Sequence, residues 1–328
     1  VHRLLRSFGL NKSALLHLVP KLHLLFSGNP GTILESVQKL CDNGIFQKRR
    51  RNWIPTIKIS ELKNLPLPIP RHIAHTYTQQ LELLSSLAKQ FVECLCVLQM
   101  ETSVDSLLLF TDTSSTSVPE IKMSLAHMPW IEVHTEHIER LNIKSPHNTL
   151  LYLLLPSERK KNWHLRIAGM LHQKYRARIA PVAEEIATHL IKGGQSSKAL
   201  SFLLVAAQDA LKSGNHHKFR ALLRRQIPLL DNAKIQLQRF HYELQLQLAL
   251  HDEELNLAIQ YASEALRLAE KEQHPRIPLL RLQIELLSIE KQNTDPEKFK
   301  TLINYLPYNQ TERIKAEQTY ALYLMEDN

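Results

Sequence analysis

From Pro156 to the end of the chain the apolar residues recur at helical spacing, and the interruptions are only a few residues long. This pattern restricts the fold more than any other feature. The helical segments read 157–178, 181–192, 195–213, 215–229, 231–250, 254–272, 276–293, 295–305 and 310–326. They are broken at Gly193-Gly194, Gly214-Asn215, Asp231-Asn232, His251-Asp252, Pro275 and Asp295-Pro296. Helices joined by such short turns fold back on their predecessors, and a series of them stacks into an α-solenoid. Residues 198–214, KALSFLLVAAQDALKSG, and 255–271, LNLAIQYASEALRLAEK, repeat one design: small alanines where helices cross, with larger apolar residues between them. The expectation is a mainly α protein ending in tetratricopeptide-like helix pairs over 156–328.

The first 155 residues read differently. Asn29 is a good N-cap and Pro30 suits the first helical position. Ile33, Leu34, Val37, Leu40 and Cys41 then form one apolar face, and Gly44 ends the helix. Ile45-Phe46 and Trp53-Ile54 flank the turn that contains Lys48, Arg49, Arg50 and Arg51, which reads as a charged β-hairpin. A helix followed by such a hairpin is the back half of a winged-helix-like unit. Residues 61–70, ELKNLPLPIP, carry prolines at alternate positions and predict an extended linker. Beyond it, the spacing predicts a long buried helix over 73–99, a short helix near 104–110 and another from Pro119 to Met128. Two short strands follow, over 130–134 and 138–143, making a second winged-helix-like unit. The expected organisation is 1–70, a helical segment with basic hairpin and linker; 71–155, a winged-helix-like domain; and 156–328, helical repeats.

Several functions are excluded by what is missing. No glycine precedes a lysine, so no GxxxxGK phosphate loop exists, and GxGxxG is absent too. The chain is therefore expected not to be an enzyme, to carry no cofactor of its own and to hydrolyse no nucleotide. His72/His75 and His134/His137 are i,i+3 pairs, but neither HExxH nor a partnering Cys accompanies them, and no metal site is expected. Cys41, Cys94 and Cys96 sit in apolar helical patterns and read as small buried hydrophobes of a reducing, cytoplasmic protein. No run of apolar residues is long enough to span a membrane. The charge is uneven: residues 1–70 hold 11 Lys/Arg against 3 Asp/Glu, whereas 71–328 hold 30 against 29. The absence of an initiator Met suggests a piece of a longer protein.

Three segments, in order, resemble the STAND class of bacterial, AAA-related signal-transduction ATPases, in the portion that follows the nucleotide-binding domain. SGNPGTILESVQKLCDNGIF with LPLPIPRHI is similar to the family's GNP-helix segment and proline linker. LLSSLAKQFVECLCVLQMETSVDSLLLF is similar to its winged-helix start. LLYLLLPSERKKNWHLRIAGMLHQKY resembles its entry into tetratricopeptide-like repeats, through Leu155, Pro156, Glu158, Arg159, His164, Ile167 and Ala168. The resemblance implies that Gly28 and Pro30 pack against an adenine. It also implies that a polar winged-helix residue approaches the phosphates. That residue is Lys144 in a gapless match, or His147 if three residues are missing. Gly31 and Thr32 stand where the family has aromatics. ATP or ADP would belong to the full-length parent.

The implied role is a non-catalytic regulatory and protein-interaction portion of a signalling ATPase, in which a winged-helix relay is joined to a solenoid that binds a protein or small effector. The alternatives are a DNA-binding transcriptional regulator using its basic hairpins, or a pure helical-repeat scaffold. On the solenoid, His189, Lys192, Arg220, Arg224 and Arg239 are expected to form a face for an acidic peptide or a carboxylate.

Overall fold

A computed structural model describes residues 1–284 apart from 51, 63–64, 135–138, 278–279 and 282. The helices expected over 295–305 and 310–326, and the end of that over 276–293, lie outside the described residues, as does Arg51. The fold is mainly α. The chain divides into two compact units, Val1–Met170 and Leu171–Asn328.

The first unit opens with α1 (His2–Ser7), α2 (Lys12–Phe26) and α3 (Pro30–Asp42), followed by the antiparallel hairpin β1 (Phe46–Arg49) and β2 (Asn52–Pro55). Local chemistry sets the helix starts. The side chains of Asn11 and Asn29 accept from the backbone N–H groups of Ala14 and Thr32, and Pro30 occupies the first turn of α3. Leu10, just before α2, forms a single parallel bridge to Trp53 of β2. Leu5, Leu18, Leu22, Ile33 and Phe46 are fully or almost fully buried beneath it.

The extended linker expected over 61–70 is shorter: Glu61 and Leu62 close the short helix α4 (Ile59–Leu62), and the prolines hold 65–70 out of regular structure. This linker is fastened along its length. Lys21 Nζ donates to the carbonyls of Leu62 and Leu65, Ser36 Oγ to that of Pro68 at 2.8 Å, and Lys39 Nζ to that of Ile69.

The second module comprises α5 (Arg71–Glu82), α6 (Ser86–Leu98), β3 (Thr102–Ser103), α7 (Val104–Thr111), α8 (Val118–Leu125), β4 (Ile131–His134) and β5 (Arg140–Ile143). The sheet order is β3-β5-β4, all antiparallel, so α6 to β5 run helix–strand–helix–helix–strand–strand, a winged-helix topology. Two details differ from the sequence reading. The helix expected over 73–99 breaks at 83–85, where Ser85 Oγ caps α6 and the Ser85 N–H is taken by Ser124 Oγ. Strand β3 has only two residues, too few for any periodicity to show. The unit closes with α9 (His147–Leu154) and the start of α10 (Ser157–Lys174).

The first compact unit runs on to Met170 and includes the start of α10, which docks on α6. Buried Glu93 accepts from Trp163 Nε1 at 2.8 Å and pairs with Arg159 at 3.2 Å. His164 Nε2 lies 3.1 Å from the Tyr152 hydroxyl, and Ile167 and Ala168 are buried.

In the second unit, α11 (Ala183–Lys192), α12 (Ser196–Lys212), α13 (His216–Gln226), α14 (Ile235–His251) and α15 (Leu255–Glu272) follow at short turns. Gly194 and Gly214 adopt φ of +81° and +70° at two of these turns, where a side chain would be strained. Ala199, Ala206, Ala207 and Ala210 of α12 and Ala258, Ala262, Ala265 and Ala269 of α15 are all buried, which lets neighbouring helices approach closely.

The three cysteines are free and buried. Burial pushes the Cys41 thiol up to about 11 and the Cys94 thiol up to about 12, and it raises Cys96 as well. Thiolate is the reactive form. At pH 8 the native chain should therefore react slowly with a disulfide reagent and release its three equivalents at once only in denaturant. Rapid native labelling of Cys94 or Cys96 would contradict this burial.

Candidate functional site

A cleft of about 340 Å³ opens within the first unit, between the α2–α3 turn and the winged-helix module. Leu25, Phe26, Ser27, Asn29 and Thr32 form one side. Ile73, Thr76, Tyr77 and Gln80 of α5, with Pro129, Trp130, Pro146, His147 and Leu150, complete it. The size is that of a small-molecule site, and its lining is mainly apolar with a few polar groups, as such sites usually are.

The polar groups are fixed by their partners. Trp130 is 1% exposed, and its Nε1–H donates to Gln80 Oε1 at 2.8 Å, which holds the indole edge against α5. The Tyr77 hydroxyl makes a short hydrogen bond with His147 Nδ1. Desolvation pushes the Tyr77 phenol up to about 12, so it keeps its proton and is the donor. Burial, and then the charge of Lys144, hold His147 below the ordinary histidine value. The imidazole is thus neutral near pH 7, accepts at Nδ1 and carries its proton on Nε2. The N-terminus of α3, with its partial positive charge, reaches the same cleft through Asn29 and Thr32.

The residues singled out in the sequence separate here. His147 lines the cleft. Gly28 adopts φ +80° between the lining residues Ser27 and Asn29 and shapes the turn, while Pro30 serves helix geometry at the first turn of α3. Lys144 is exposed, 3.7 Å from Glu132, and is not among the lining residues. Of the two alternatives for the winged-helix residue, the geometry brings His147 and not Lys144 to the GNP turn. Tyr77, Gln80 and Trp130 escaped the sequence reading, because an aromatic residue at helical or strand spacing cannot be told from an ordinary core residue, nor a glutamine from an ordinary solvated one.

The solenoid face expected at His189, Lys192, Arg220, Arg224 and Arg239 does not form. His189 is 7% exposed, and burial pushes its imidazole down to about 4. Arg239 is 9% exposed and is held by Glu243 and by Glu272 at 3.1 Å, so its charge is spent inside the unit. Arg220 pairs with Asp252. Lys192 and Arg224 are exposed. A cavity of about 230 Å³ in the second unit lies between α12 and α14. It is lined by Gln208, Lys212, Phe240, Glu243, Gln247 and Arg276 among others, and contains none of the five.

In the basic hairpin, Lys48, Arg49 and Arg50 are exposed. His72 lies 3.3 Å from Glu35, and His137 is outside the described residues. Among the described residues no group of three His, Cys, Asp or Glu could hold a metal, and no helix is long and apolar enough to cross a membrane.

No family model matches the chain, and no curated protein matches it. Among solved structures, the chain is similar to the crystal structure of a signal transduction ATPase with numerous domains (STAND) protein with a tetratricopeptide repeat sensor from Pyrococcus horikoshii. The two are 12% identical, with 96% of this chain and 54% of that one covered, at a TM-score of 0.28. The chain thus spans about half the length of the structure it matches, and a superposition at that level does not establish a shared fold.

Proposed function

We propose that this chain is a non-catalytic regulatory portion of a STAND-like signalling ATPase. In this reading the cleft of the first unit contacts the adenine nucleotide of the parent protein, and the helical repeats contact a protein partner. One observation carries the proposal: the GNP turn and His147, remote in sequence, share one cleft. Trp130 and Tyr77 give that cleft an aromatic wall. The Nε2–H of neutral His147 provides a donor suited to an anionic or acceptor group, and the partial positive charge at the start of α3 favours the same kind of ligand. Binding that differs between nucleotide states would shift the winged-helix module relative to the α2–α3 turn, which is what a relay requires. The α12–α14 cavity is where the repeats offer a partner a recess.

Calorimetric titration of the full chain with ADP tests the reading. Saturable binding is expected. Thr76→Trp, which fills the cleft from an exposed position, should abolish it, and His147→Ala should weaken it about tenfold, the loss of roughly one hydrogen bond to a charged group. Binding indifferent to both changes would remove the cleft from the proposal. ATP turnover that survives repurification would overturn its non-catalytic part.

A further inference from the structure

We propose that the first winged-helix-like module holds the backbone of duplex nucleic acid with its wing alone, without reading sequence. The proposal is independent of the nucleotide cleft and rests on three observations.

First, the wing is cationic and unspent. Residues 1–58 hold ten Lys/Arg and only two Asp/Glu, Glu35 and Asp42. Both carboxylates are engaged on α3: Glu35 with Lys39, His72 and the Arg71 N–H, and Asp42 with Gln38. Lys48, Arg49 and Arg50 are exposed, and no ion pair to them occurs among the described residues. Arg50 sits at the hairpin turn with φ +55°.

Second, the wing is braced. Trp53, directly opposite Lys48 in the hairpin, stacks on Phe8 at 6.1 Å with 13° between the rings, and Lys48 Nζ lies 6.0 Å from the indole centre. The Trp53 N–H donates to the Gly9 carbonyl at 2.7 Å, and its carbonyl accepts from the Asn11 N–H. The wing is therefore fixed to the α1–α2 turn, which is itself flanked in the chain by exposed Arg6 and Lys12. Cations on a rigid frame lose less entropy when they grip phosphates than cations on a loose loop.

Third, base reading is blocked. In a winged helix that reads DNA, the helix before the wing enters the major groove. Here that helix is α3, and the linker lies on it. Ser36 donates to Pro68, Lys39 to Ile69, and Glu35 accepts from Arg71. The linker thus occupies one side of α3 while the wing stays open, and phosphate contacts carry no sequence information. An acidic protein surface fits less well. Protein interfaces draw most of their affinity from a few buried, well-packed anchors, and exposed charges at the rim add little. The exposed large hydrophobics of this module, Leu16, Leu24 and Ile59, lie on α2 and α4 and not on the wing.

The test is fluorescence anisotropy of the full chain with short labelled duplexes of two unrelated sequences, across about 50–200 mM salt. The expected result is equal affinity for both sequences, falling steeply with salt. The triple variant Lys48→Ser/Arg49→Ser/Arg50→Ser should bind at least about tenfold more weakly, with the log–log salt slope reduced by roughly one per cation removed. Its melting temperature should stay nearly unchanged. If it does not, Arg50→Ser alone is expected to lower the slope by about one. A charge-matched variant of exposed cations in the second unit, Arg176→Ser/Lys198→Ser/Lys234→Ser, should bind as wild type. Duplex RNA bound with the same slope supports the same phosphate contact. The proposal fails if the wild-type chain shows no salt-dependent binding, or if both triple variants lose affinity equally. It also fails if one duplex sequence is strongly preferred, or if polyglutamate competes as well as duplex.

Discussion

Lowering the pH from 7 to about 4.5 should destabilise the helical-repeat unit by several kcal/mol, through two histidines that burial keeps neutral. His241 is 2% exposed, and its imidazole is pushed down to about 4 by desolvation. His189 is pushed down to about 4 by desolvation and then by the charge of Lys192. Hydrogen bonds enforce the neutral form at His241. Gln226 Nε2 donates to the Leu203 carbonyl at 3.1 Å, which turns Gln226 Oε1 toward His241 Nδ1, 2.7 Å away. His241 Nδ1 therefore carries the proton, and Nε2 faces the Gln245 amide nitrogen as an acceptor at 3.4 Å. A second proton would bring donor against donor and bury a charge. The unfolded chain takes up these protons near the ordinary histidine pKa, about 6.5, and the folded chain only near 4. Stability is therefore fully present above about pH 6.5 and lost as the pH falls toward 4, by about 3 kcal/mol per histidine. Urea unfolding at pH 7.5, 6, 5 and 4.5, followed by circular dichroism, measures this. His241→Asn, which keeps a donor for Gln226 and cannot titrate, should remove about half of the slope. A stability that stays flat over this range would mean that the two imidazoles are not held neutral.

Arg239→Ala should cost about 3–5 kcal/mol, far more than an exposed arginine would. The guanidinium bridges Glu243, on its own helix α14, and Glu272, at the end of α15. Its removal leaves Glu272, 13% exposed, without this partner, while Glu243 keeps Arg276 at 2.8 Å. The double variant Arg239→Met/Glu272→Leu removes both members and should recover most of the loss, because a buried ion pair is often replaceable by apolar groups of similar volume. The two midpoints in urea decide the matter. If Arg239→Ala proved as mild as a surface substitution, Arg239 would be free to face a ligand after all.

Periodicity, caps and turn residues determined much of the architecture. Asn29-Pro30 started α3, Phe46–Pro55 paired as a hairpin, the alternating prolines denied regular structure to 65–70, and the glycine breaks separated the repeat helices. These signals are local, since each depends on φ/ψ preference or on one face of one element. The GNP turn was also legible as a candidate, and it does border the cleft. The partners of each side chain were decided by tertiary packing. His189 and Arg239 read as solvated helix positions because Arg is mostly exposed, yet the carboxylates of another helix and of its own turn draw Arg239 inward. Tyr77, Trp130 and His147 come from three stretches remote in the chain, and no spacing rule relates them. Similarly, only the hydrogen bonds from Ser36 and Lys39 to the linker reveal that α3 is covered and the wing is not. The sequence by itself determined which segments are helix, hairpin and linker, because those depend on neighbours within a few residues. Which polar groups are spent inside the fold, and which are left to meet a ligand, depends on residues up to seventy positions apart, and that only the tertiary structure decided.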